Sequence, residues 1–177
     1  MNTTAVQHYY ANLKEVRLHY VTLGQGKPVV LLHGWPQTWY EWRLIMPLLA
    51  DQYRLIAPDL RGLGDSSRPA SGYDKKTVAA DIWQLMHEHL KDDRFAVIGH
   101  DVGSVVAFRL AVAHPDAVSH LVWLDVPVVG ERKEGLGGVT PPGQLPRWHH
   151  LFHFPKRNCR SWLRAYPNNH SRTVLSF

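Results

Sequence analysis

One stretch constrains the fold of this chain more than any other, because it must pass from a buried strand to a helix around a single aspartate. Residues 95–98 form an apolar run typical of a buried parallel strand. Apolar residues recur at helical spacing after Gly103, until Pro115 stops the helix. Gly99 and Gly103 lie on either side of Asp101, so the chain can reverse within about three residues. The pattern predicts an elbow that pushes the Asp101 side chain out of the sheet.

The rest of the chain alternates between strand and helix patterns. Strand-like apolar runs occupy residues 29–32, 53–58 and 118–124. Helical patterns cover residues 38–49 and 77–90, and we expect the first of these to pack on the sheet as one helix. This alternation predicts an α/β fold with a mostly parallel sheet and helices on both faces. A shorter alternating run at residues 16–21 predicts a half-exposed strand near the sheet edge.

Three motifs at the ends of these strands carry a family resemblance. His33-Gly34-Trp35-Pro36 is similar to an HGxP motif, residues 62–66 to GxGxS, and residues 99–103 to an aspartate nucleophile elbow. Together they resemble the α/β-hydrolase family and, within it, the epoxide hydrolases, over roughly residues 18–152. The resemblance implies the N-terminal portion of an α/β-hydrolase core over residues 1–127 and the start of a helical cap over residues 128–153.

Aspartate at the elbow has a chemical meaning of its own. A carboxylate that attacks a saturated carbon forms an alkyl ester, which water can cleave at the carboxyl carbon, whereas serine would be left as an ether. Asp101 therefore favours attack on an sp³ carbon, and the resemblance implies opening of an epoxide to a diol. The alternative is a relative of serine hydrolases that has lost its nucleophile.

Donors must stabilise the charge that develops on an Asp101 oxygen in the second half-reaction. The elbow offers the backbone N–H of Val102, and the resemblance implies the backbone N–H of Trp35 as the second donor. Trp39 is the tryptophan of the first helix nearest the predicted cleft, and we expect the cleft to include also His33, Pro36 and His100. We interpret His33 as orienting its loop and His100 as structural. Three polar residues are expected to brace the loop after residue 58: Asp59, Arg61 and Ser66.

Other functions remain open at this point. Haloalkane dehalogenases usually carry tryptophan after the nucleophile and asparagine after the HG pair, and fluoroacetate dehalogenases tend to carry arginine after the nucleophile. This chain has Val102 and Trp35 at those places. A dehalogenase is therefore the second hypothesis. The third is a non-catalytic fragment that binds a small apolar ligand or a partner chain.

Charge and composition limit the kinds of molecule that we expect this chain to bind. Six of the 20 basic residues and none of the 15 acidic ones lie from Arg147 onward, so the net charge of +5 belongs to the C-terminal tail. A thinly basic tail is more often solvated than bound to phosphate, so we expect no nucleic acid. One cysteine, the lack of a signal-peptide pattern and the lack of a long apolar run predict a cytoplasmic protein without membrane contact. We expect a small apolar epoxide-type substrate, no cofactor and no metal, because His149 and His153 lack a third ligand.

The segment from residue 154 to 177 departs from the family pattern. The histidine and acid that complete hydrolysis in the family follow the cap, and no segment of this chain resembles them. Residues 159–163 (Cys-Arg-Ser-Trp-Leu) can arise from codons for Leu-Pro-Glu-Leu-Val read one base late. The hypothesis is a frameshifted or truncated product, and the alternative is a natural short variant. We expect impaired turnover, and self-association through residues 121–124 as an open strand edge.

Overall fold

A seven-stranded sheet forms the centre of the described structure. The structure, a computed structural model, describes residues 5–125 and the backbone of a short strand at 174–176. The strands are β1 (Gln7–Asn12), β2 (Arg17–Leu23), β3 (Lys27–Leu32), β4 (Tyr53–Pro58), β5 (Phe95–His100), β6 (Val118–Leu124) and β7 (Val174–Ser176). They are ordered β1-β2-β4-β3-β5-β6-β7. The strands from β4 to β7 are parallel and β1 and β2 are antiparallel, which confirms the predicted mostly parallel sheet.

Helices cover both faces of this sheet, as predicted. The helical segments are a 3₁₀ segment (Trp39–Leu44), α1 (Met46–Leu49), α2 (Lys75–Trp83), a wider π-helical segment (Gln84–His89) and α3 (Val102–Ala113). One apolar cluster joins the sheet to α2 and α3, with Ile82, Leu85 and Leu110 fully buried. A second cluster joins the opposite face to Trp42 of the 3₁₀ segment and Met46 of α1. The sheet is therefore packed between two layers of helices, and the loops at the carboxyl ends of its strands lie outside these layers.

The first helical pattern forms two short segments instead of one helix. The 3₁₀ segment ends at Leu44, and α1 begins at Met46 with Pro47 in its first turn. Proline has no backbone N–H to continue the hydrogen bonding of a preceding helix, so a new helix starts there. Trp42 and Met46 face the core, whereas Ile45 is exposed.

The expectation of a half-exposed strand at residues 16–21 is wrong. Residues 18–21 of β2 are all buried. The reason is β1, which the sequence pattern did not reveal and which pairs with β2 as the outer strand. The ring of Tyr9 stacks on Tyr20, and Tyr10 packs against His19. Because β1 covers β2 along its length, the edge of the sheet lies one strand further out.

The expectation that β6 is an open edge is also wrong. The backbone of β7 pairs in parallel with β6, at Leu121, Val122 and Trp123. An edge strand leaves a row of backbone N–H and C=O groups that an extended segment can satisfy, and the backbone of β7 does so. The tail that the sequence left without a role thus contributes a strand, and self-association of the chain stays a prediction.

Several predictions fall outside the described residues. These are the domain boundaries after residue 127, the cap at residues 128–153, the two histidines considered for zinc and the out-of-frame reading of the tail. They stay predictions. No helix in residues 5–125 combines the length and apolar character that crossing a bilayer requires.

Candidate active site

The predicted elbow joins β5 to α3 with one residue between them. β5 ends at His100 and α3 begins at Val102. Asp101 has φ 48° and ψ −118°, a backbone conformation that residues with a Cβ rarely adopt. Its N–H donates to the carbonyl of Leu124 (3.2 Å), and its own carbonyl accepts from Ser104 N–H (3.0 Å). Strain of this kind persists where surrounding contacts enforce it, as they do here.

Close backbone packing explains the two glycines of the elbow. A Cβ on Gly99 would lie 2.4 Å from the carbonyl oxygen of Gly103, and one on Gly103 would lie 2.2 Å from that of Leu32. Both distances are too short for any side chain. The first turn of α3 therefore lies directly against β3 and β5, which is what directs Asp101 beyond the strand end.

The loop after β3 meets this elbow. The Trp35–Pro36 peptide bond is cis, and Trp35 N–H donates to Oδ2 of Asp101 at 3.1 Å. Gly34 allows the approach, since a Cβ there would lie only 3.0 Å from Cβ of Asp101. The Trp35 side chain is 67% exposed. Val102 occupies the first position of α3, where N–H groups have no acceptor within the helix. The three residues predicted for the reaction are thus brought together.

His33 lies at the base of the same loop and is fully buried. Its Nδ1 is 2.8 Å from the carbonyl oxygen of Gly34, and its Nε2 accepts from the N–H of Leu60 at 2.9 Å. These partners require the neutral ring with its proton on Nδ1. Burial lowers the pKa of His33, against the opposing effect of the Gly34 carbonyl and of the nearby carboxylates. Both ring nitrogens are engaged with backbone, so His33 joins two loops.

His100 contacts two acidic residues, one at each ring nitrogen. Its Nε2 lies 3.2 Å from Oδ2 of Asp125, and its Nδ1 lies 2.7 Å from Oε1 of Glu41. The second contact is not a hydrogen bond, and Nδ1 has no hydrogen-bond partner among the described residues. The other oxygen of Glu41 accepts from Gly34 N–H at 2.9 Å. Glu41 was not singled out by the sequence analysis, because the register of a helical pattern does not show where a side chain reaches.

Trp39 and Asp59 form a second set of contacts at the carboxyl ends of the strands. Trp39 N–H donates to Oδ1 of Asp59 at 2.8 Å, and the Trp39 ring packs edge-on against His8. Oδ2 of Asp59 accepts from Asp65 N–H (3.0 Å) and lies 2.8 Å from Nδ1 of His19. Trp39 is thereby linked to β1 and to Asp59, whereas Trp35 is linked to Asp101.

The loop after β4 is braced throughout, in agreement with the expectation for Asp59, Arg61 and Ser66. Arg61 donates through Nε and Nη2 to both carboxylate oxygens of Asp81, at 2.8 and 2.7 Å, and this pairing raises the pKa of Arg61. Ser66 Oγ donates to the carbonyl of Asp59 and accepts from His19 N–H. These hydrogen bonds hold the loop to β2 and α2.

Among the described residues, one group of three side chains has donor atoms close enough together to bind a metal: His19, Asp59 and Asp65. His19 and Asp59 are buried and already bonded to each other. A cation would have to displace that bond and the backbone donors of Asp59. The donor set therefore fits a brace better than a metal centre.

The sheet order, the elbow and the cis-proline loop define the class of protein. The family described as the alpha/beta hydrolase fold matches residues 27–166, more than half of the chain. The chain belongs to the α/β-hydrolase family and is an epoxide hydrolase-like member of it.

Individual relatives and a solved structure agree with this family assignment. The soluble epoxide hydrolase of Corynebacterium sp. (strain C12) is 52% identical over 124 residues, which cover 70% of this chain and 43% of the relative. A fluoroacetate dehalogenase of Burkholderia sp. is 38% identical over 117 residues, 63% of this chain and 38% of the relative. The solved structure of the epoxide hydrolase CorEH without ligand has a TM-score of 0.70 at 50% identity, covering 77% of this chain and 48% of that one. The chain thus spans less than half the length of these relatives.

Proposed function

We propose that this chain carries the nucleophile half of an epoxide hydrolase site, in which Asp101 opens the epoxide ring. The observation that carries the proposal is the hydrogen bond from Trp35 N–H to Oδ2 of Asp101, at an elbow that projects the carboxylate beyond β5. A carboxylate with one oxygen held by a backbone donor presents the other oxygen for attack on carbon.

The proposed reaction has two steps. First, a lone pair of the free Asp101 oxygen forms a C–O bond to one ring carbon, the ring C–O bond breaks, and the released alkoxide takes a proton from solvent, which the second step returns. Second, water adds to the carboxyl carbon of the ester, and collapse of the adduct releases a diol and restores the carboxylate. The sum is epoxide plus water to diol. The N–H groups of Trp35 and Val102 would stabilise the negative oxygen in the second step.

The second step needs a general base, which is typically worth about 10²–10⁴-fold in rate. The ring nitrogens of His33 and His100 are engaged with backbone or carboxylate groups. We therefore assign neither of them this role, and the base would come from outside residues 5–125. Without it the ester on Asp101 accumulates, which makes the first step directly observable.

The test is mass spectrometry of the 177-residue chain after incubation with styrene oxide, a small apolar epoxide. We expect a mass increase of one epoxide, mapped by peptide sequencing to Asp101. Asp101→Asn should abolish the adduct, and Asp116→Asn, which removes an exposed carboxylate, should keep it. An unmodified wild-type chain, or a modified Asp101→Asn variant, would contradict the proposal.

Dehalogenation through the same aspartate is the second candidate, because of the similarity to a fluoroacetate dehalogenase. That reaction would form the same kind of ester while the C–F bond breaks and fluoride leaves. Fluoroacetate is an anion, and Val102 beside the nucleophile supplies no positive charge to bind it. Incubation with fluoroacetate distinguishes the two, since fluoride release with a carboxymethyl ester on Asp101 would favour the second candidate.

A further inference from the structure

We propose that Glu41 is a positioning residue that aligns Trp35 N–H with the Asp101 carboxylate; the inference rests on the proposed role of Asp101 as nucleophile. Glu41 lies in the first turn of the 3₁₀ segment, and its side chain is 14% exposed. A glutamate that is mostly buried at the end of a sheet requires partners for its charge. The contacts of its two carboxylate oxygens indicate its role.

The two oxygens of Glu41 contact two different loops. Oε2 accepts from the N–H of Gly34, and Oε1 lies 2.7 Å from Nδ1 of His100. Gly34 is the residue before Trp35, which supplies the donor, and His100 is the residue before Asp101, which supplies the acceptor. One carboxylate therefore contacts the neighbour of each group in the Trp35–Asp101 hydrogen bond, by a hydrogen bond at Gly34 and by a close contact at His100.

The two loops leave little room for adjustment. A Cβ on Gly34 would lie 3.0 Å from Cβ of Asp101 and 3.0 Å from Nδ1 of His100. The hydrogen bond from Trp35 to Asp101 is 3.1 Å long, at the upper end of the usual range. A small rotation of the Gly34–Trp35 peptide would therefore break it, and Glu41 opposes that rotation by holding the N–H on the other side of Gly34.

Glu41 is itself held against the sheet. The 3₁₀ segment begins at a Thr38 cap, whose hydroxyl oxygen accepts from Tyr40 N–H. The N–H of Trp39 donates to the buried carboxylate of Asp59 at 2.8 Å. On the other side of the site, Asp125 contacts the second nitrogen of the His100 ring at 3.2 Å. The position of Glu41 is thus set by the loop after β4, which has no part in the chemistry.

Removal of this carboxylate has a definite consequence. In Glu41→Ala, the N–H of Gly34 loses its acceptor and Nδ1 of His100 loses a close contact. The peptide that carries Trp35 N–H is then held only by its carbonyl, which bonds His33 and Gln37, so the N–H can shift relative to Asp101. Misplacement of a reacting group by about 1 Å can cost on the order of 10²-fold in rate. Glu41→Gln keeps the chain length and an oxygen acceptor for Gly34, so it should retain most of the alignment.

The first measurement is the rate of Asp101 alkylation by styrene oxide at several epoxide concentrations, normalised to the folded fraction. We expect the maximal rate to fall on the order of 10²-fold in Glu41→Ala and by less than about 10-fold in Glu41→Gln, with the half-saturating concentration unchanged. Glu88→Ala, which removes an exposed glutamate from the segment after α2, should behave as wild type. An unchanged maximal rate in Glu41→Ala would overturn the proposal.

The second measurement does not depend on alkylation. In a chain labelled with ¹⁵N-tryptophan, the amide resonance of Trp35, assigned with Trp35→Phe, reports its hydrogen bond to Asp101. We expect Glu41→Ala to shift this resonance in the direction that Asp101→Asn does, and Glu41→Gln to leave it near the wild-type position. If wild type is not alkylated, the proposed function fails, while this shift still decides the role of Glu41. A Trp35 resonance unchanged in Glu41→Ala would overturn that role.

Discussion

Asp59 and Asp101 are two aspartates that follow parallel strands at the same edge of the sheet, yet their surroundings differ. Asp59, directly after β4, is 1% exposed, and its oxygens contact the N–H groups of Trp39 and Asp65 and the ring of His19. Asp101, directly after β5, is partly exposed. Within residues 5–125, its carboxylate accepts a hydrogen bond from Trp35 N–H.

The difference teaches how to tell a brace from a nucleophile among carboxylates at strand ends. An ionised carboxylate can accept about four hydrogen bonds, and one surrounded by donors on both oxygens has no lone pair directed at a substrate. Asp59 is in that state because β2, the 3₁₀ segment and its own loop all converge on it. Within residues 5–125, Asp101 keeps one oxygen available because the elbow lifts it beyond the strand.

The largest difference in stability should appear when the carboxylate of each aspartate is exchanged for an amide. In Asp59→Asn an NH₂ group must face a backbone donor or His19, so we expect a loss of about 3–5 kcal/mol in the free energy of unfolding. In Asp101→Asn we expect a change within about 1 kcal/mol, because one hydrogen bond is altered at a partly exposed site. Urea denaturation followed by tryptophan fluorescence measures both.

Alkylation by styrene oxide provides the complementary measurement for the same two variants. Asp101→Asn should lose the adduct while it remains folded, and Asp59→Asn should retain alkylation in whatever fraction is folded. Equal losses of stability in the two variants would show that the distinction between brace and nucleophile is wrong.

A methyl group at the elbow should have an intermediate effect. In Gly103→Ala the new Cβ would meet the carbonyl of Leu32, which belongs to β3 and cannot move away. We expect a loss of about 1–3 kcal/mol in the free energy of unfolding, together with slower alkylation of Asp101. Val112→Ala, an exposed change on the same helix, serves as the control and should alter neither. A Gly103→Ala variant with wild-type stability would show that the elbow is less tightly packed than described.

The smallest effect should be a dependence of stability on pH that comes from His33. Burial lowers the pKa of His33 below its ordinary value of 6.5, so below pH 6.5 the unfolded chain binds a proton that the folded chain resists. The contribution of His33 to the free energy of unfolding is fully present above pH 6.5, and it is lost as the pH falls toward the pKa of His33 in the folded chain. We expect His33→Gln to reduce the slope of unfolding free energy against pH, measured between pH 7 and about 5. His120→Gln, at an exposed site, should keep the slope.

The sequence by itself determined the central part of the fold and the reactive residue. The strands β3, β4, β5 and β6 and the helix α3 follow from contiguous apolar patterns and from glycine and proline, because each depends on residues close together in the chain. The elbow at Asp101 follows for the same reason. The family motifs also pointed to Trp35, whose N–H the structure brings to Asp101.

Only the tertiary structure decided the edges of the sheet and the supports of the site. The residues of β1 have no apolar alternation, and its strand exists because β2 offers it a complete set of backbone partners. β7 pairs with β6 across more than 50 residues of sequence for the same reason. The position of Glu41 between Gly34 and His100, and the saturation of Asp59, depend on where separate loops converge. Such contacts join residues far apart in the chain, so no local pattern encodes them.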